Sequence, residues 1–179
     1  INVSSKSGSN TQSGEFFIVN RPGTVIDSKN SFAQRDLSGN FVKDGFSRYQ
    51  IGGGLGGAIV KNKTFYYINV EHTTDLKDNR LSSPLLGVNT TISGKNNFTY
   101  LSGKVDQKWS KKFSSSLRAN VGIVNIERQG GGLDGGVTFP SAGNFQDRNS
   151  SIIALQNTYK GNEFKSESNI QYSSFRWNY

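Results

Sequence analysis

The sequence predicts an all-β protein, an antiparallel transmembrane β-barrel of which about seven strands are present. Apolar and polar residues alternate along segments that reach the ~9–11 residues a transmembrane strand requires, and a period of two places successive side chains on opposite faces of a sheet. Long polar connections and short turns also alternate along the chain, as do the outer loops and periplasmic turns of outer-membrane barrels. Aromatic residues stand near the predicted strand ends, where such barrels carry aromatic girdles.

The clearest element is a hairpin, residues 48–71, with the sequence RYQIGGGLGGAIVKNKTFYYINVE. Its two arms meet at the polar turn Lys61–Thr64, a connection typical of a β-hairpin. In each arm one parity carries large apolar side chains, whereas the other carries polar residues and glycines. The hairpin therefore predicts a sheet with one apolar and one polar face. The apolar parity comprises Tyr49, Ile51, Leu55, Ile59, Tyr66, Ile68 and Val70.

The remaining strands follow from the same alternation. Residues 1–10 read as a short strand that runs into a turn, and the strands after it are predicted at 14–20, 98–108, 113–127, 149–160 and 163–175. We expect the long polar segments to be exterior loops, at 21–43, 78–97 and 128–145. The short turns would then lie in the periplasm, at 61–64, 110–112 and 160–162.

Parity divides the side chains into two predicted sets. The apolar set should face outward into lipid and consists of Tyr66, Ile68, Val70, Leu101, Val105, Leu117, Val121 and Ile153. The polar set should face the lumen, where opposite charges on neighbouring strands can pair across the sheet. We expect this set to line the barrel wall. The lumen-facing candidates are Arg48, Gln50, Asn69, Glu71, Lys104, Asp106, Arg118 and Asn120.

Composition narrows the possible functions. The chain has 179 residues and a net charge of +8, but its basic residues are interleaved with acidic ones, so no basic stripe predicts a nucleic-acid partner. The absence of cysteine excludes disulfides and thiolate metal sites. The single histidine, His72, follows Glu71, so the two side chains point to opposite faces and do not form a metal pair. We expect no enzyme, no cofactor and no metal.

Two glycine-rich stretches resemble nucleotide- or phosphate-binding motifs, but each lacks a part that its motif needs. Gly52–Gly57 satisfies G-x-G-x-x-G, but a dinucleotide site of an NAD-type enzyme requires a helix directly after it, and a predicted strand follows here. We interpret these glycines as space for a bulky neighbour to approach the sheet closely. Gly130–Gly136 lacks both the Lys-Ser/Thr of a phosphate loop and the spaced acids of a calcium loop.

The chain resembles the TonB-dependent outer-membrane receptors, particularly the Oar-like receptors of Bacteroidota. The resemblance rests on residues 1–21, INVSSKSGSNTQSGEFFIVNR, which look like the junction of plug and barrel, and on the hairpin at 48–71. The family usually has proline where this chain has Ala58. The resemblance implies a 22-stranded barrel closed by a plug, taking up a substrate with energy passed on by TonB. The lumen-facing set would then hold the plug, with cargo contact as the alternative, and Gly52–Gly57 would let the plug approach the barrel wall.

On this resemblance, residues 1–13 would end the plug domain and residues 14–179 would be the N-terminal portion of the barrel. The protein would lie in the cell outer membrane, in contact with outer-membrane lipid. Its partners would be TonB, reached through a further N-terminal part, and a surface-exposed lipoprotein or other envelope subunits. The alternative is a soluble β-sandwich adhesin or carbohydrate-binding module, since sandwich strands also alternate.

Overall fold

The computed structural model describes residues 6–23, 46–128 and 139–179. They form one antiparallel sheet of seven strands, in which each strand pairs with its neighbours in sequence. The strands are β1 Ser13–Arg21, β2 Ser47–Val60, β3 Thr64–Ser83, β4 Val88–Lys108, β5 Phe113–Arg128, β6 Asn144–Lys160 and β7 Lys165–Asn178. The prediction of an all-β meander is confirmed.

The sheet stands alone in the part of the chain that is described. No second sheet packs against it there, and β1 and β7 each pair on one side only. A β-sandwich needs two sheets face to face, whereas the described residues form a single sheet. Among the described residues, no helix has the length and apolar character needed to cross a membrane.

The predicted hairpin at 48–71 is confirmed as the pairing of β2 with β3. Leu55 lies opposite Ile68, so the apolar parities of the two arms share one face of the sheet. The turn closes with a hydrogen bond from the Lys63 amide to the Val60 carbonyl (3.1 Å). Asn62 takes a left-handed φ of 62°, which asparagine tolerates better than most residues. Thr64 already belongs to β3.

The predicted long loop at 78–97 is wrong. β3 and β4 stay paired as far as Ser83 and Val88, and only residues 84–87 connect them. Gly87 makes the turn with a φ of 62°. Residues 77–95 form the half of the hairpin nearer this turn, here called the outer half. Its sequence is mostly polar on both parities, so it shows no alternation although its two strands stay paired with each other. β6 likewise begins at Asn144, five positions before the predicted start at Asn149.

Few apolar side chains are buried. Among the described residues, the buried hydrophobic ones are Phe65, Ile126 and Ala154. Most of the large apolar side chains of the strands lie instead on one exposed face, where Ile68 is 51% and Ile153 52% exposed. We call this the apolar face, and the opposite side of the sheet the polar face. An apolar surface of this extent needs a non-aqueous environment.

The apolar face runs diagonally across the sheet. One cross-strand row starts with Ile18 and Ile51 on β1 and β2 and ends with Asn149 and Arg176 on β6 and β7. Nearer the short turns, β6 and β7 are apolar, with Leu155 opposite Ile170 and Ile153 opposite Tyr172. Strands tilted by about 35–45° to the membrane normal give such a diagonal, because a band parallel to the membrane crosses successive strands at different heights.

Candidate functional site

The polar face collects all eight side chains that sequence parity selected. The register places Asn69, Ser102 and Asn120 in one cross-strand row, and Tyr67, Lys104 and Arg118 in the next. The eight residues predicted to face outward share the opposite face. Successive side chains of a strand point to opposite faces of the sheet. One residue pair between neighbouring strands therefore determines the face on which every other side chain of those strands lies.

Specific side-chain pairs join β2 to β3 on the polar face, near the outer end of β2. The Arg48 guanidinium donates to both carboxylate oxygens of Asp75, from Nε to Oδ1 (2.7 Å) and from the terminal nitrogen to Oδ2 (2.8 Å). The Asp75 side chain is only 10% exposed, and a bidentate pair of this kind fixes orientation as well as charge. One row below, Gln50 Nε2 donates to Glu71 Oε1 (2.7 Å).

A basic pair occupies the middle of the polar face. Lys104 lies directly opposite Arg118 on β5, and its ammonium group is 3.4 Å from Asp106 Oδ1. The Arg118 Nε and Asp106 Oδ2 atoms are buried without a hydrogen-bond partner in the structure. Beside this pair is a depression of about 300 Å³, lined by Lys6, Glu15, Tyr67, Asn69, Ser102, Gly103, Lys104, Arg118 and Asn120.

Residues 6–12, here called the N-terminal segment, fold back over the polar face. Lys6 forms an ion pair with Glu15, whose Oε1 also accepts a hydrogen bond from the Tyr67 hydroxyl (3.0 Å). The hydrogen bond to Glu15 raises the pKa of Lys6. Lys104 Nζ donates to Ser7 Oγ (2.7 Å), so these contacts bind the segment to β1 and β4.

Close backbone approach fixes the other end of this segment. Asn10 Oδ1 accepts from the Asn62 amide in the β2–β3 turn (2.8 Å). A side chain on Gly8 would collide with the carbonyl oxygens of Gly57 and Tyr66, and one on Gly56 would lie 2.8 Å from Tyr67 Cδ2. The glycines of β2 therefore leave room for Tyr67 and for the segment, as the sequence suggested. A strand and a turn follow them, so the helix that a dinucleotide site needs is not there.

The structure adds residues that sequence reasoning missed. Lys6, Ser7 and Asn10 lie outside any predicted alternation, and their contacts are long-range, so parity could not select them. Glu15 and Tyr67 do have the polar parity and could have been selected. A further polar group is buried near the outer end, where Gln146 is fully inaccessible and accepts a hydrogen bond from Arg148 (2.9 Å). The Arg148 guanidinium stacks on the Trp177 ring at 4.5 Å.

His72 takes no part in this site. It lies on the apolar face between Thr99 Oγ1 (2.8 Å) and Thr74 Oγ1 (3.3 Å), whereas Glu71 contacts Gln50 on the other face. Among the described residues, no three side chains of metal-binding type come together. The glycine-rich stretch Gly130–Gly136 lies outside the described residues.

Comparison with known proteins agrees with this architecture. Residues 4–91 match the model of a family described as an outer membrane beta barrel domain. No curated protein and no solved structure matches the chain. The matched stretch includes β1, β2 and β3. It therefore contains the hairpin at 48–71 and the part of the apolar face that these three strands carry, on which the prediction of a membrane barrel depends. The single antiparallel sheet and this match identify an outer-membrane β-barrel protein, which resides in the outer membrane.

Proposed function

We propose that this part of an outer-membrane β-barrel is the wall of a TonB-dependent receptor, with its polar face toward the lumen. The N-terminal segment is the single feature that carries the proposal. It lies on the polar face and is attached there by polar contacts, with Lys104 donating to Ser7 and Lys6 paired with Glu15. A plug that precedes β1 in the chain would be connected to it along this path.

The contacts that attach the N-terminal segment to the wall are weak enough for the segment to be bound and later released. They are hydrogen bonds and ion pairs at exposed positions, and exposed ion pairs contribute little to stability. The rest of the wall is joined by continuous strand pairing. A pull on the N-terminal side would therefore detach residues 6–12 before it disturbed β1.

In this proposal residues 1–13 end the plug domain and the strands from β1 onward belong to the barrel. The receptor is not an enzyme, and its polar wall holds the plug by ion pairs and water. Further strands of the complete barrel would pair with the outer edges of β1 and β7, since unpaired backbone groups are costly in hydrocarbon. TonB would act through the plug, and a surface lipoprotein or another envelope subunit would bind from outside.

The test uses the complete gene product with a single cysteine at Ser7, expressed in cells with and without TonB. Labelling by an aqueous thiol reagent should be faster when TonB is present, because energised TonB detaches the segment from Lys104. A cysteine at Ser110, in the short turn between β4 and β5, is the matched control and should label equally in both strains. Equal labelling of Ser7→Cys in both strains would contradict the proposal.

A second variant tests the attachment itself. Gly8→Ala should push the segment away from the wall, because the added methyl group meets backbone oxygens that cannot move aside. Labelling of Ser7→Cys should then be fast in both strains, while the barrel stays folded. If Gly8→Ala leaves the labelling rate unchanged, the segment does not lie where the structure places it.

A further inference from the structure

The basic pair in the middle of the polar face has one more positive charge than its neighbours neutralise. Lys104 is near Asp106, and Lys6 is paired with Glu15. Arg118 makes no ion pair with any described residue, and its Nε atom is buried without a partner. Like charges directly opposite on neighbouring strands destabilise a sheet, so an unoccupied Lys104–Arg118 pair is unfavourable.

Neutral donors surround the same depression. Asn69, Ser102 and Asn120 lie in the next row and line it together with Lys104 and Arg118. A guanidinium presents two parallel N–H groups to carboxylate or phosphate oxygens, and amide and hydroxyl groups can complete the coordination of a third oxygen. The volume of about 300 Å³ is large enough for such a group and the atoms attached to it.

We propose that Arg118, Lys104 and the amides of Asn69 and Asn120 form an oxyanion site on the polar face, which binds a carboxylate or a phosphate group. The inference rests on the proposed function in so far as that face lines the lumen. Two sources can supply this chemistry. One is a free anionic cargo, and the other is a carboxylate of the receptor's own plug.

The experiment measures the heat-induced change in gel mobility of the complete gene product in detergent. The wild type, Arg118→Gln and Lys108→Gln are compared in inorganic phosphate and in chloride of equal ionic strength. Lys108 is the matched control, since it lies on the same strand and face as Lys104, close to the short turn, and its replacement makes the same change in charge. Arg118→Lys keeps the charge but loses the paired donors.

If the site takes free anions, phosphate should raise the transition temperature of the wild type and of Lys108→Gln. The rise should be lost in Arg118→Gln and reduced in Arg118→Lys. In chloride, Arg118→Gln should be as stable as the wild type or more so, because the repulsion from Lys104 is removed.

If a plug carboxylate occupies the site, phosphate should have no specific effect. Arg118→Gln should then lower the transition temperature in both salts, and Lys108→Gln should not. Either pattern supports the oxyanion site and identifies its source. The proposal is overturned if Arg118→Gln behaves like Lys108→Gln in both salts. This readout needs neither TonB nor an energised membrane, so its failure is distinguishable from failure of the receptor assignment.

Discussion

The inner and outer halves of the β3–β4 hairpin share one backbone arrangement but differ in sequence pattern. In the inner half the residues of β3 alternate, with Ile68 and Val70 on the apolar face and Asn69 and Glu71 on the polar face. In the outer half the pairing continues to Ser83 and Val88, although most residues there are polar on both parities. Alternation therefore reports that the two faces meet different environments, and it does not report pairing itself.

The same contrast locates the membrane along the strands. Four successive rows of the apolar face, from the Tyr66 row to the His72 row, span roughly 20 Å along the strand at about 3.4 Å per residue. Tilted by about 40°, they cover a height of roughly 16 Å, which fits within the ~25 Å apolar band of outer-membrane barrels. The outer half of β3–β4 thus extends beyond the hydrocarbon region.

The largest expected effect contrasts two positions on the apolar face of β5. Val121→Arg places a charge within the apolar band and should cost about 2–4 kcal/mol of unfolding free energy if it lies near the midplane. Asn125→Arg, two rows farther out and opposite Asp147, should cost no more than about 1 kcal/mol near the interface. Denaturant unfolding of the complete gene product in phospholipid vesicles measures the loss of unfolding free energy in both variants. Equal losses would contradict the position assigned to the apolar band along β5.

A smaller effect is expected where specific pairing holds the polar face. Arg48→Gln leaves the Asp75 carboxylate, only 10% exposed, without its bidentate partner. Since a hydrogen bond to a charged group is worth about 1.5–3 kcal/mol and Arg48 itself is 46% exposed, we expect a loss of about 1–2 kcal/mol.

The double variant Arg48→Gln/Asp75→Asn serves as the control for this pair, because it removes the unpaired charge as well. It should recover part of the loss in the same unfolding measurement. A double variant less stable than the single one would show that the two side chains do not act as a pair.

The smallest effect is expected in the outer half of the hairpin. Deleting residues 80–91 and joining the strands with Asn-Gly should leave the unfolding free energy within about 0.5 kcal/mol of the wild type, as for surface changes. The reason is that the deleted residues lie beyond the apolar band. Heat-modifiable mobility and recovery from outer membranes check this, and failure to assemble would show that the outer half is needed for folding.

Sequence alone could predict the elements whose faces differ in environment. The hairpin at 48–71, β4 from Phe98 and β5 were found by parity, and so were the polar candidates from Arg48 to Asn120. Strand segments outside the membrane, such as 78–83 and 88–97, were missed because water on both faces removes the alternation. The contacts of the N-terminal segment were missed for another reason: they join Ser7 to Lys104 and Asn10 to Asn62, and such distant pairs leave no local pattern.

The central claim is that the two faces of this sheet meet lipid and water respectively, and neighbouring residues test it most directly. Single cysteines at Val70, Glu71 and Lys95 in the complete gene product, refolded into vesicles, are exposed to an aqueous thiol reagent. Val70→Cys should stay unlabelled, Glu71→Cys should react on the polar face, and Lys95→Cys should react because it lies beyond the apolar band. Labelling of Val70→Cys as fast as Glu71→Cys would contradict the account.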